Sequence, residues 1–234
     1  MSEYSLGVIG GMGPLATAIY FKQLVNLTDA KSDQDNVNAL ILNHATIPDR
    51  TEAILTNNKE PFLASIKKDI ELLEKANVTN IAIPCNTSHY YFDDMQAMTN
   101  INIINMIDEA MKAVVTRYGV NAKVAILATT GTIHSKVYEK SAKKFNIDTF
   151  LPSLVIQDQI MNIIYQVKAG VMTDNVVLEK IIKDLVEVDK CHGVILACTE
   201  LSTFELNERY TPFYIDSTTE LAKKSILLSN RKIK

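Results

Sequence analysis

Two of the three cysteines in this chain stand where a thiol can do chemistry. Residues 80–90 read NIAIPCNTSHY. The apolar run 81–83 is expected to be a buried strand that stops at Pro84 and delivers Cys85 onto Asn86 and Thr87, a helix-opening pair. The pattern returns at 193–197, a second buried-strand run that delivers Cys198, Thr199 and Glu200. A thiol between the carboxyl end of a strand and the amino end of a helix lies where open α/β sheets collect ligands, and unpaired backbone N–H groups there favour a thiolate. Two facing thiols suit inversion at a carbon centre, one removing a proton and the other supplying one from the opposite face. An unperturbed thiol titrates near ~8.5, within reach of neutrality once lowered. The α-carbon of an amino acid is a far weaker acid, so the developing carbanion needs its carboxylate held by donors. The backbone N–H groups after each cysteine, with the side chains of Asn86, Thr87 and Thr199, can supply them.

The elements that must position these groups alternate along the chain. Strands are expected at 6–9, 37–42, 81–83 and 101–104, then again at 124–128, 148–151, 193–197 and 212–215. Between them, Pro14 opens a helix carrying Leu15, Ile19 and Leu24, and Phe62, Ile66, Ile70 and Leu73 keep helical spacing. Further helices are expected at 108–118, about 134–145, 155–168, 176–188 and 217–229, while 43–50 reads as a loop around Pro48. Such alternation argues for parallel sheets of βαβ units. Each half begins with a strand and a turn, at 10–13 and at 129–131, and each has a later strand ending at a cysteine. The expected fold is therefore α/β with two pseudo-symmetric lobes, each a mostly parallel sheet flanked by helices, and an active site in the cleft between them. The N-terminal lobe covers 1–118 and the C-terminal lobe 119–234, with a C-terminal helix that can cross over.

Composition narrows the function. The chain has 234 residues, 47% of them hydrophobic, enough for a substantial core, and a net charge of −3 gives no reason to expect nucleic acid or an acidic membrane as partner. No apolar run approaches the ~20 residues needed to span a bilayer. The opening residues lead into a strand without a basic or apolar leader, so the cysteines are read as reduced thiols of a cytoplasmic protein. Cys191 lies in a helix-to-strand connection, at the opposite end of its strand from Cys198, and is assigned no role. Thr129 and Thr130 can bind substrate or cap the next helix, and Glu200 can cap its helix or orient Cys198. His89 reads as a packing or solvent residue, and His44, His134 and His192 have no partner pattern. No His, Cys and acidic cluster has metal-ligand spacing, so no metal is expected.

The motifs in residues 7–14 (GVIGGMGP), 48–51 (PDRT), 84–89 (PCNTSH), 127–132 (LATTGT) and 197–200 (ACTE) together resemble the aspartate/glutamate racemase family, and more narrowly its aspartate branch. The resemblance spans essentially the whole chain. It implies a cofactor-independent racemase acting on a small dicarboxylic amino acid, with Cys85 and Cys198 as the proton-transfer pair and commonly a homodimer. It places Arg50 and Lys168 as carboxylate contacts, and Met12, Asn86, Thr87, Thr129, Thr130, Thr199 and Glu200 complete the expected substrate-binding set. A guanidinium such as Arg50 can grip a carboxylate through two parallel hydrogen bonds. The glutamate branch carries an aspartate in its first glycine loop and a histidine after its second Cys-Thr. Here Gly10-Gly11 and Glu200 occupy those places, which points to aspartate before glutamate.

Two other classes compete. Residues 11–16 fit the G-x-G-x-x-G/A dinucleotide fingerprint of an NAD-dependent dehydrogenase, but the end of the second strand offers Asn43 and His44 where that fold needs an acid. A dicarboxylate-binding protein without catalysis is the other.

Overall fold

The computed structural model describes residues 3–171 and 174–234. Two compact units divide the chain, Met1–Met106 with Thr218–Lys234, and Ile107–Ser217.

The first unit opens with β1 (Leu6–Gly10), buried at every position. Pro14 then starts α1 (Pro14–Leu27), where its missing N–H falls at an orphan donor position. The buried face of α1 is Ala16, Thr17, Tyr20 and Leu24, whereas Leu15 is half exposed, so the face is rotated from the Leu15–Ile19–Leu24 line expected from spacing. The cause is close packing on the strand end. Thr17 Oγ1 accepts a 2.8 Å hydrogen bond from the Gly11 N–H, and a Cβ at Gly10 would meet that same oxygen at 2.5 Å. Next come β2 (Ala39–Asn43), a short α2 (Arg50–Leu55) and α3 (Glu60–Lys75). α3 buries Phe62, Ile66, Ile70 and Leu73 as their spacing anticipates, in one cluster with Ile9, Ile81, Ile83 and Cys85. β3 (Asn80–Ala82), a short α4 (Phe92–Gln96) and β4 (Asn102–Ile103) complete a parallel sheet of order β2-β1-β3-β4.

The second unit repeats the scheme. After α5 (Met106–Tyr118) come β5 (Lys123–Leu127), α6 (Thr130–Ser135) and α7 (Val137–Lys144), then β6 (Asp148–Phe150) and α8 (Leu154–Lys168). α9 (Asn175–Glu187), β7 (Gly193–Leu196), β8 (Tyr214–Asp216) and α10 (Ser217–Leu228) follow. This sheet is also parallel, in the order β6-β5-β7-β8. The single helix expected over 134–145 is two helices, separated by Lys136 in the left-handed conformation at φ 55°.

The divide between units falls at the start of α5 rather than after it, because the partners of α5 lie in the second unit. Tyr118 Oη donates to the Pro212 carbonyl at 2.8 Å, and Arg117 to the Thr211 carbonyl at 2.9 Å. α10 returns the other way. Tyr20 Oη donates to Ser225 Oγ at 2.7 Å, and Thr28 pairs with Ile233 just beyond α10.

In both sheets the chain steps from its first strand to one side, then returns to the other side for its third. The loops leaving the first and third strands therefore diverge, and they leave a crevice at the carboxyl edge. No helix among the described residues is long and apolar enough to cross a membrane.

The tie between α1 and α10 can be measured. Tyr20→Phe keeps the buried ring and loses one hydrogen bond, so urea denaturation is expected to read a loss of about 1 kcal/mol. Tyr20→Ala also opens a cavity and is expected to lose ~3–5 kcal/mol.

Candidate active site

Cys85 and Cys198 occupy the same topological place, just past the third strand of their respective sheets. Both thiols are buried and free. Neither precedes an ordinary helix, contrary to the helix opening expected at each. Cys85 leads into a 3-10 turn, Thr87–Tyr91, before the five residues of α4, and Cys198 leads into the 3-10 turn Leu201–Thr203. Asn86 and Glu200 begin these turns without capping them through their side chains.

The local bonding around the thiols differs. The Cys85 N–H donates to the Ile83 carbonyl across Pro84 at 2.8 Å. Its carbonyl accepts from Ser88 Oγ at 2.7 Å and from His89 Nδ1 at 2.9 Å. His89 is buried, and its Nε2 accepts the Met106 N–H at 3.2 Å, so the proton sits on Nδ1 and the ring braces the cysteine backbone. The Cys85 sulfur itself has no hydrogen-bond partner among the described residues. Cys198 does: its Sγ–H donates to Glu200 Oε2 at 2.9 Å. Thr199 Oγ1 donates to the same oxygen at 3.3 Å, and Lys168 Nζ lies 4.0 Å from Oε1. Of the two roles open to Glu200, the one it fills is orienting the thiol.

This geometry reverses the thiolate expected at Cys198. Burial, then the Glu200 charge and its side-chain hydrogen bond, push the Cys198 thiol well above the ordinary range, while the Glu200 backbone N–H and, less, Lys168 oppose them. Cys198 therefore rests as a neutral thiol. Burial also pushes the Cys191 thiol up, to about 11, and that residue packs in the same core cluster as Cys198 with no acidic side chain bonded to it.

The other expected site residues fall in loops at the carboxyl edges of the two sheets. In the first unit, Met12 is buried in the turn after β1, and half-buried Arg50 opens α2 behind the Asp49 cap. The Arg50 guanidinium donates to the Pro48 carbonyl at 3.3 Å and meets no carboxylate among the described residues. Asn86 and Thr87 are buried beside Cys85. In the second unit, Thr129 is the N-cap of α6, accepting the Thr132 N–H at 3.1 Å. Thr130 is exposed, and its N–H faces Met161 Sδ at 3.3 Å. Lys168 ends α8.

One pair escaped the sequence reading. His44, read as having no partner, lies one residue past β2 with Nδ1 2.8 and 3.1 Å from the two oxygens of Asp69. The available signal was Asp69 itself, an acid on the buried face of α3 beside Ile66 and Ile70. Gly11 lies against the same loop. Its φ is +92°, and a Cβ there would sit 2.7 Å from the Ala45 nitrogen and closer still to the His44 carbonyl. The strand, glycine turn and helix of a dinucleotide fingerprint are thus present, yet β2 ends on Asn43 and His44 without the ribose-binding acid. Among the described residues no three His, Cys, Asp or Glu side chains are grouped to hold a metal ion.

Comparison with known proteins supports the family and the two-sheet fold. The family model for Asp/Glu/Hydantoin racemase matches residues 9–224. An aspartate racemase from Picrophilus torridus superposes with a TM-score of 0.82 at 32% identity, over 98% of this chain and 95% of that one. The broad specificity amino-acid racemase RacX of Bacillus subtilis is 24% identical over 229 residues, 94% of this chain and 96% of its own length. A glutamate racemase from Campylobacter jejuni shares the fold at a TM-score of 0.62 and 16% identity, over 98% of this chain and 86% of that one.

Two outcomes follow from the site geometry. Glu200→Gln removes the charge and weakens the acceptor that hold the Cys198 proton. Titration of thiolate absorbance is expected to move to lower pH by about one unit or more, and an unmoved profile would remove Glu200 from control of the thiol. Gly11→Ala forces a side chain against the His44 backbone at positive φ and is expected to cost about 2 kcal/mol or more in urea denaturation.

Proposed function

Because the chain belongs to the Asp/Glu/hydantoin racemase family, we propose that it interconverts L- and D-aspartate without a cofactor, using Cys85 and Cys198 as its two proton-transfer groups. The observation that carries this reading is the placement of two free thiols at the same position of two sheets of identical strand order. Aspartate is preferred because the Picrophilus torridus relative with that activity is 32% identical over nearly the whole chain. The glutamate racemases share the fold at 14–20% identity.

The mechanism needs one thiol to take the α-proton and the other to return a proton to the opposite face of the α-carbon. Cys85, whose sulfur has no acid bonded to it, acts as the base and takes the α-proton while the C–H electron pair moves onto the carbon and into the adjacent carboxylate. Cys198, held as a thiol by burial and Glu200, delivers its proton to the opposite face. The carbon is inverted, Cys85 leaves as thiol and Cys198 as thiolate, and the opposite enantiomer runs through the same steps in reverse. The developing charge is stabilised where the substrate carboxylate meets backbone N–H groups and the side chains of Asn86, Thr87 and Thr199. Arg50, whose guanidinium lacks a carboxylate partner among the described residues, takes the second carboxylate, and Lys168 assists from the second unit.

Chiral analysis of purified protein tests the reading. Cys85→Ser and Cys198→Ser are each expected to lower racemisation about a thousandfold or more, since a hydroxyl is too weak an acid to replace the thiol. Cys191→Ser should remain near wild type, and full activity in either of the first two variants would remove the two-base mechanism. Arg50→Ala is expected to raise KM for aspartate ~10–100-fold with a smaller change in kcat. Faster racemisation of alanine or lysine than of aspartate would instead favour broad specificity, as in the RacX relative. Activity that vanished on dialysis and returned with pyridoxal phosphate would overturn cofactor independence.

A further inference from the structure

We propose that the His44–Asp69 pair is the acceptor for the α-ammonium group of the amino-acid substrate; this deepens the racemase reading above and rests on it.

Burying a carboxylate is costly unless it is paired, and Asp69 is 4% exposed on the apolar face of α3. Among the described residues its only hydrogen-bond partner is His44 Nδ1. A carboxylate only accepts, so the proton between them belongs to Nδ1, which fixes the tautomer and leaves the Nε2 lone pair as an acceptor in the neutral ring. Nε2 has no partner among the described residues, and the His44 side chain is 29% exposed. Asp69 thus spends a buried charge on holding one edge of an imidazole, while the other edge stays open.

The register sets where that edge lies. Gly10 pairs with Asn43 at the end of β2, so the next step brings His44 beside Gly11, whose absent Cβ would touch the His44 carbonyl. On the other side of β1, Val8 pairs with Ala82 at the end of β3, and Cys85 follows three residues later, past the turn at Pro84. His44 and Cys85 therefore flank the glycine turn at the carboxyl edge of one sheet. Both also face α3: Cys85 packs in the cluster with Phe62, Ile66 and Ile70, and His44 bonds to Asp69 between the last two.

Charge gives the edge its ligand. An amino acid brings a cationic ammonium as well as its carboxylates. Of the groups assigned to carboxylates, Arg50, Lys168 and the backbone N–H groups only donate, and the amide and hydroxyl side chains of Asn86, Thr87 and Thr199 carry no charge to set against a cation. Glu200, the acid beside Cys198, is already occupied by Cys198, Thr199 and Lys168. With its proton on Nδ1 toward Asp69, the ring turns the Nε2 lone pair outward as an acceptor, with the buried carboxylate behind it. His44 then touches substrate, and Asp69 is its positioning residue.

The test compares L-aspartate with succinate, the same dicarboxylate without the ammonium. Two variants are used: Asp69→Asn, which keeps the shape and removes the charge, and the double variant His44→Phe with Asp69→Leu, which leaves no carboxylate unpaired in the core. Both are expected to raise KM for L-aspartate ~10–100-fold, the factor carried by a charge-assisted hydrogen bond. Calorimetric affinity for succinate should stay within about threefold of wild type, since the missing contact is one succinate never makes. Equal weakening of both ligands would mean a carboxylate contact or a general distortion, and would overturn the proposal. Unchanged KM in both variants would overturn it too, with the racemase reading left standing. A wild-type protein that does not racemise aspartate would remove the reading itself.

Discussion

The hydrogen bond from the Cys198 thiol to Glu200 is the interaction on which the proposed two-thiol reaction rests. A carboxylate two residues from a buried thiol makes ionisation of that thiol unfavourable, first by excluding water and then by its own charge. Cys198 is thereby held in the form that can give a proton. The counterpart at Cys85 has no such acceptor; its neighbours Ser88 and His89 bind the backbone carbonyl and leave the sulfur alone. Two thiols at equivalent places in two similar sheets thus have different surroundings, and in the proposed reaction that difference sets which of them holds the proton at rest.

The sheets make this possible because their strand order leaves the first and third strands with diverging loops. At the first sheet that edge is crowded. Thr17 presses on Gly10, and the His44 backbone presses on Gly11, so the glycines let two loops approach more closely than side chains would allow. The same loop carries His44, whose ring reaches Asp69 on α3.

Much of this was legible in the sequence. Apolar runs ending at Pro84 and at Cys198 located the third strands, and the spacing of Phe62, Ile66, Ile70 and Leu73 located the face of α3. These signals were readable because burial on both faces of a parallel sheet leaves an unbroken apolar run. The face of α1 was misjudged because Ala16 and Thr17, small enough to sit on the strand end, carry little hydrophobic signal beside Leu15. Helices were expected after both cysteines because Asn-Thr and Thr-Glu commonly open them, yet the chain makes 3-10 turns there. The protonation of Cys198 and the pairing of His44 with Asp69 depend on side chains meeting in space. The first needed the rotamer of Glu200, and the second a contact between a strand end and a helix, neither of which periodicity encodes.

The proposed two-thiol mechanism is tested most directly by the isotopic fate of the α-hydrogen in wild-type protein. L-aspartate would be incubated in deuterium oxide and both enantiomers followed at early conversion by chiral separation and mass spectrometry. Thiols exchange their protons with solvent, so a donor on the far face delivers deuterium. Two facing groups predict that nearly all D-aspartate formed carries one α-deuterium while the remaining L-aspartate stays unlabelled. D-aspartate that retained the original hydrogen, or deuterium entering L-aspartate as fast as D-aspartate appears, would contradict it.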